Sequence, residues 1–347
     1  MTRIAIIGAG AIGRRHLGIL LEDAAYEVAA IADPGPAAET LAKESSVPYF
    51  ADYGRMLDDV KPDGVINATP NQFHGETTLA CIKRGIPVLL EKPVADTLAE
   101  AANIVEAAEK AKVSLLIGHH RRHHPIMRRA AEAIRDGAIG RIAAVACLWM
   151  HKKDDGYFDT AWRTQQGGGP VLINAIHDID SLRMLCGEIE SVQAATANAV
   201  RKLAVEDTAA AILHFANGAL GTLVVTDTSS SPWTWDAGAR DSEAGKAPQN
   251  ALFIAGTRAS LGVPSLETFW HEPGLAWLDP LSHARMTYRA ADAYKEQMRN
   301  FAAVIRGEET PVVSGREGLL TLAATLAIHE SAKTGKPVRL DEFLVRR

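Results

Sequence analysis

The chain has 347 residues, 47% hydrophobic and 23% charged, which supports a sizeable core and suits two domains of roughly 100–200 residues better than one. A formal net charge of −5 provides no basic field for nucleic acid or a membrane surface, and no run of about 18 uncharged apolar residues exists to span a bilayer. Three scattered cysteines (Cys81, Cys147, Cys186) form neither a disulfide framework nor a metal knuckle, so no metal is expected and a reducing cytoplasm is the expected compartment.

From the first residues the chain reads as a strand, Ile4–Ile7, with no separate charged, apolar and cleavage regions of a signal peptide before it. Gly8-Ala9-Gly10-Ala11-Ile12-Gly13 follows it and opens a helix. In that context Gly8 permits the tight turn, Gly10 lets the backbone approach a pyrophosphate, and Gly13 lets helix and strand pack closely. The backbone N–H groups around Ala11 and Ile12 then offer an anion site at the helix start. The next strand, Val28–Ala32, ends at Asp33, 20 residues beyond Gly13, where an acid accepts ribose hydroxyls. Neither Arg nor Lys follows in Pro34-Gly35-Pro36, which favours NAD over NADP.

Further apolar strands are expected at Gly64–Ala68, Pro87–Leu90 and Val113–Ile117, with helices at Gln72–Arg84 and Leu98–Lys110. This alternation implies right-handed crossovers and a doubly wound parallel sheet over residues 1–121. Thr69, Pro70 and Asn71 leave one strand at its C-terminal edge, where open α/β sheets bind ligands. Glu91 and Lys92 leave the next, and Pro93 fixes the backbone after them, with Lys92–Pro93 a candidate cis peptide. Hydride removal from a secondary alcohol needs a base for the hydroxyl proton, and a partly buried lysine near a positive nicotinamide suits that task.

Residues 122–347 read differently. A helix over Ile126–Asp136 precedes strands at Arg141–Met150, Glu190–Arg201, Asp207–Phe215, Leu220–Asp227, Ala251–Ala255 and Ser260–Val263. Asn217-Gly218 marks a hairpin, and consecutive strands of this kind argue for an α+β domain with an open, largely antiparallel sheet. Ser229–Asn250 is expected as a long mobile loop carrying Trp233 and Trp235, either as an apolar lid over substrate or as anchors of the loop itself. Two late helices, Ala290–Arg306 and Arg316–Thr334, are expected to pack back on the first domain. Asn174, His177 and Asp180 recur at helical spacing and share one face. His120, Arg121 and Arg122, with Lys153 and Arg163, supply cations for an anionic group on the substrate, or for cofactor phosphates and solvent.

Taken in order, Gly8–Gly13, Asn67-Ala68-Thr69-Pro70-Asn71 with His74, Glu91-Lys92-Pro93, Gly118–Arg122, Trp162-Arg163, Gly167-Gly168-Gly169 and His177–Asp180 resemble the Gfo/Idh/MocA oxidoreductases. The resemblance implies a Rossmann domain followed by an open-sheet domain that carries the substrate face and often a homodimer or homotetramer interface. It places Thr69, Pro70, Asn71, His74 and Glu91 along the cofactor, with Trp162 and Arg163 near the nicotinamide. It makes Lys92 the acid/base, with His177 beside the reactive carbon, both facing one nicotinamide C4. One departure stands out: inositol-dehydrogenase-like members carry an aspartate where this chain has Ile173, followed by the non-ionising Asn174.

The expected activity is NAD-dependent oxidation of a secondary alcohol in a small polyhydroxylated molecule: a sugar, cyclitol, sugar acid or dihydrodiol. Two alternatives stay open. One is an enzyme that recycles tightly held NAD for net isomerisation, glycoside cleavage or coupled oxidoreduction. The other is a non-catalytic NAD-binding regulator on the same fold.

Overall fold

The computed structural model describes residues 1–239 and 246–345. The chain divides into two compact units, one comprising Met1–His123 with Ala291–Leu322, the other His124–Ala290 with Ala323–Arg347.

The first unit alternates β1 (Thr2–Ile7), α1 (Ala11–Leu21), β2 (Tyr26–Ala32), α2 (Pro36–Glu44), β3 (Tyr49–Phe50), α3 (Tyr53–Val60), β4 (Gly64–Asn67), α4 (His74–Lys83), β5 (Val88–Leu90), α5 (Leu98–Ala111) and β6 (Leu115–Ile117). Its six strands are all parallel in the order β3-β2-β1-β4-β5-β6. Strands this apolar must be covered on both faces, and β4, β5 and β6 are buried throughout. Local chemistry sets the helix starts: Asp52 accepts from the Arg55 amide at 2.6 Å, and Thr97 from that of Glu100 at 3.2 Å. Strand order reverses at β1, which lies between β2 and β4, so the loops after β1 and β4 flank the switch point of the sheet.

The second unit runs α6 (Pro125–Arg135), β7 (Ile142–Met150), α7 (Ile176–Cys186), β8 (Ile189–Ala197), β9 (Thr208–Phe215), β10 (Leu220–Thr226), α8 (Trp235–Ala239), β11 (Leu252–Gly256), β12 (Ser260–Val263), β13 (Glu267–Trp270) and β14 (Ser282–Arg285). After α9 (Ala293–Ile305), which belongs to the first unit, come α10 (Gly315–Thr334), β15 (Val338–Arg339) and α11 (Leu340–Val345). Nine strands form one sheet in the order β14-β13-β12-β11-β7-β10-β9-β8-β15. The sheet is mostly antiparallel, and Gly218, at φ +86°, completes the β9–β10 hairpin. The exception is the parallel pairing of β7 with β10, two strands far apart in sequence that no hairpin joins.

Each unit has its own apolar core. In the first, Ile4, Ile6, Ile31, Ile66 and Leu89 pack with Met298, Phe301 and Val304 of α9. In the second, strand alternation turns Ala209, Ala211, Leu213 and Phe215 inward with residues of α6 and α7. The opposite face leaves Ile212, Leu220 and Phe253 about half exposed.

Two expectations for the second half need correction. Trp235 is no lid: it is fully buried, begins a short helix, and its ring meets that of His124 edge-on at 5.1 Å. Its polar neighbours in sequence concealed a core position. Ser229–Asn250 therefore contains structure in its first half, while residues 240–245 of that stretch lie outside the described residues.

Candidate functional site

In the first unit, the three glycines after β1 are each required for a different reason. Gly8 has φ +95°, and a Cβ there would lie 2.5 Å from the Ala68 carbonyl oxygen. A Cβ on Gly13 would sit 1.9 Å from the Gly8 oxygen, so strand and helix tolerate only hydrogen at that contact. At Gly10 a Cβ would meet nothing within 4 Å. That open side adjoins the start of α1, where Gly10 is the N-cap residue, no side chain caps the helix, and Ala11 and Ile12 are exposed. A pyrophosphate fits this arrangement of clear space and outward amides. Asp33 braces the turn: its Oδ2 accepts from the Ala9 amide at 2.8 Å and its Oδ1 from that of Gly35 at 2.7 Å.

The loop after β4 is set from beneath. Buried Asn67 donates to the hydroxyls of Thr77 (2.5 Å) and Thr78 (3.0 Å), while its Oδ1 accepts from the Thr69 amide and hydroxyl. Pro70 is exposed, and Asn71 opens a short 3-10 turn. His74 is buried, with Nδ1 2.8 Å from the Pro93 carbonyl and Nε2 3.0 Å from that of Thr69. Burial lowers its pKa against the pull of those carbonyls, and a neutral imidazole has one N–H to donate between them. The ring fastens the loop after β4 to the turn after β5; neither nitrogen is left to face a ligand directly.

Lys92 is half-buried at the end of β5, and its peptide bond to Pro93 is cis. The carboxylate of Glu91 turns to α1, where its Oε1 lies 2.8 Å from Nε2 of His16, itself fully buried. Burial pushes the Glu91 pKa up, but hydrogen bonding and charge from His16, with Lys92 and His120, outweigh it and hold the carboxyl below its ordinary value. Gly118 lies against this carboxylate; a Cβ there would be 2.8 Å from it. Sequence reading missed His16, whose only signal is its place one turn beyond Gly13. It missed Tyr294 of α9 as well, whose ring stacks on His120 at 4.3 Å and lies 3.9 Å beneath the Arg15 guanidinium.

The cations proposed from sequence are engaged within their own units. Arg122 pairs with Glu317 at 2.8 Å, His120 stacks on Tyr294, and Arg121 is buried. In the second unit, Lys153 Nζ lies 4.0 Å from Asp227 and 4.4 Å over the Tyr157 ring. The Arg163 guanidinium is 4.0 Å from the same ring and donates to the Tyr157 carbonyl. Arg201 bonds the same Asp227 at 2.8 Å, and burial still raises the pKa of that acid. Trp162, beside Arg163, is 48% exposed.

His177 lies in the first turn of α7, half-buried, and its carbonyl accepts from the Ser181 hydroxyl. Asp180 of the same helix is buried. The residues before α7, Val171–Ala175, form a π-helical turn. Asn174 and Ile173 therefore belong to the π turn and His177 to the α-helix after it, so the uniform helical spacing read from sequence is broken between them. Turns of this kind recur at functional sites. Among the described residues, no helix is long and apolar enough to cross a membrane, and no group of three or more His, Cys, Asp or Glu could hold a metal ion.

Comparison with known proteins gives matches over most of the chain. Residues 2–119 match the model described as oxidoreductase family, NAD-binding Rossmann fold, and residues 127–262 match the GFO/IDH/MocA C-terminal domain. The rhizopine catabolism protein MocA of Rhizobium meliloti is 32% identical over 54% of this chain and 57% of its own length. D-xylose 1-dehydrogenase (NADP(+)) 2 of Haloferax volcanii is 27% identical over 97% of this chain and 99% of its own. Among solved structures, the WlbA dehydrogenase of Bordetella pertussis, in complex with NADH and UDP-GlcNAcA, superposes with a TM-score of 0.78 at 26% identity, covering 97% of this chain and 98% of that one.

Proposed function

The chain belongs to the GFO/IDH/MocA family of NAD(P)-dependent oxidoreductases, and from that premise we propose that it is an NAD-dependent dehydrogenase oxidising a secondary alcohol of a sugar or cyclitol. The observation that carries the cofactor half of this reading is the glycine turn, with clear space at Gly10 and the Asp33 carboxylate bonded to the Ala9 amide. NAD is favoured over NADP because that carboxylate leaves negative charge where a ribose phosphate would sit, and neither Arg nor Lys follows it.

Bound NAD supplies the hydride acceptor. Thr69, Pro70 and Asn71 hold the loop side of the cofactor, stiffened by Asn67 and His74. Lys92, once its own proton has gone to solvent, would take the hydroxyl proton on Nζ, while the hydride on the hydroxyl-bearing carbon would go to the acceptor that the cofactor supplies. The products are a ketone and an ammonium on Lys92. His177 orients the hydroxyl and passes the proton onward. The second unit is the substrate domain. With Lys153 and Arg201 sharing Asp227, and Arg122 held by Glu317, the paired cations support a neutral polyol over an anionic one. The exposed apolar sheet face around Ile212, Leu220 and Phe253 supports a homodimer. Three buried cysteines outside any disulfide suit the cytoplasm.

The test is NAD+ reduction across polyols, aldoses, uronic acids and sulfonated sugars, with Lys92→Ala as control. The variant is expected to keep NADH binding and lose turnover by roughly 10³-fold or more. NADH accumulating in proportion to ketone separates net oxidation from an internal redox cycle. Retained turnover in the variant removes Lys92 from the chemistry.

A further inference from the structure

The triplet Gly167-Gly168-Gly169 carries no chemistry of its own, yet its last two members are tightly enclosed. A Cβ on Gly168 would lie 2.4 Å from the Trp162 carbonyl oxygen, and one on Gly169 would lie 2.2 Å from Oε1 of Glu206. Glu206, just ahead of β9, has a side chain only 10% exposed. Its Oε1 accepts the Val171 amide at 3.0 Å, at the first residue of the π turn, and its Oε2 is 3.3 Å from Nε2 of His329 on α10. The latter contact is an ion pair when His329 is protonated. Burial raises the Glu206 pKa, and His329 with the Val171 amide more than reverses this, so the group is a carboxylate at neutral pH.

A π turn is rare and must be held by its surroundings. Here the Ile176 amide reaches back to the Val171 carbonyl, five residues away, and no side chain caps the turn from within. Relaxation to ordinary α geometry would shift the register by one residue, rotating the chain on one side of the turn by about 100° relative to the other. We propose that Glu206 is a positioning residue: its carboxylate pins the first amide of the π turn and so sets the direction of Asn174 and His177. The absence of a side chain at Gly169 is what lets the carboxylate reach that amide. The inference rests on the reading of His177 as assistant to the acid/base.

The experiment needs no substrate, so its outcome is separate from that of the polyol panel. Glu206→Ala and Glu206→Gln are made in the full chain. Amide exchange is followed at Val171, and the His177 ring resonance, identified by its loss in His177→Gln, is recorded. In Glu206→Ala, exchange at Val171 should accelerate about tenfold or more and the His177 resonance should move, with NADH affinity unchanged. Glutamine keeps an acceptor oxygen and should restore both signals. Should Glu206→Ala not fold, Gly169→Ala, whose methyl displaces the carboxylate, carries the test and should give the same pair of changes. Unchanged exchange overturns the proposal, as does faster exchange with the His177 resonance fixed.

Discussion

Alanine at Gly13 and at Gly10, only three residues apart, should fail in opposite ways. Gly13 is the third residue of α1, where alanine would by itself gain about 1 kcal/mol in helix propensity. Against that, its Cβ would lie 1.9 Å from the Gly8 oxygen, and Gly8 is itself tied by its amide to the Ala32 carbonyl at 2.9 Å. Carbon and carbonyl oxygen normally stay roughly 3.3–3.6 Å apart, so backbone must give way by more than about 1 Å. Overpacking of this kind costs about 1–3 kcal/mol and occasionally more; with backbone on both sides of the clash, a net loss of about 2–3 kcal/mol is expected. That corresponds to a melting temperature lower by about 5–10 °C for a domain of this size. At Gly10 the methyl meets no protein atom and the backbone is extended, so stability should stay within about 1 kcal/mol. NADH affinity should instead fall about 10- to 100-fold, because the methyl occupies the approach of the pyrophosphate. Thermal denaturation by circular dichroism and NADH fluorescence titration separate the two. If Gly10→Ala binds NADH like wild type, or Gly13→Ala melts with it, the geometric account of the turn is wrong.

Removing His16 leaves the buried Glu91 carboxylate without its main partner, so His16→Ala should lose about 3–5 kcal/mol in urea denaturation at pH 7. Because the folded pKa of Glu91 is depressed, its contribution is present above about 4.5, its ordinary value, and lost as pH falls below it. The gap between wild type and variant should therefore shrink in acid, and a gap independent of pH would contradict the assignment. Burial pushes the thiols of Cys81 and Cys186 up to about 12, so a thiol-specific disulfide reagent at pH 8 should leave both intact until denaturant is added; prompt labelling of either would show the burial to be wrong. If the exposed sheet face is the proposed dimer interface, Ile212→Lys should halve the mass seen in light scattering, and a variant with the mass of the wild type refutes that reading of the face.

Local pattern predicted the parts whose cause is local. The runs that became β1, β2, β4, β5 and β6 are apolar enough that only a sheet covered on both faces accommodates them. Asn217-Gly218 carried its turn geometry openly. By contrast, β3 is two residues long and exists through pairing with Ile31 and Ala32, so no periodicity announces it. Glu206 acts on an amide 35 residues earlier, and His16 on a carboxylate 75 residues later. No neighbour in sequence marks either as more than a helix or loop residue. The surroundings of the cations were hidden for a related reason: sequence shows Arg122 and Lys153 but not the acids, Glu317 and Asp227, that fold onto them.

Helix α9 has a consequence for synthesis. Its Met298, Phe301 and Val304 close one side of a core whose strands were all made within the first 117 residues. During translation those strands emerge long before their cover, with the whole of the nine-stranded sheet except β15 threaded between. The nascent dinucleotide unit must wait with an uncovered apolar flank, a state that invites chaperone binding. A ribosome-bound chain arrested before residue 291 should thus be sensitive to protease where the released protein is resistant.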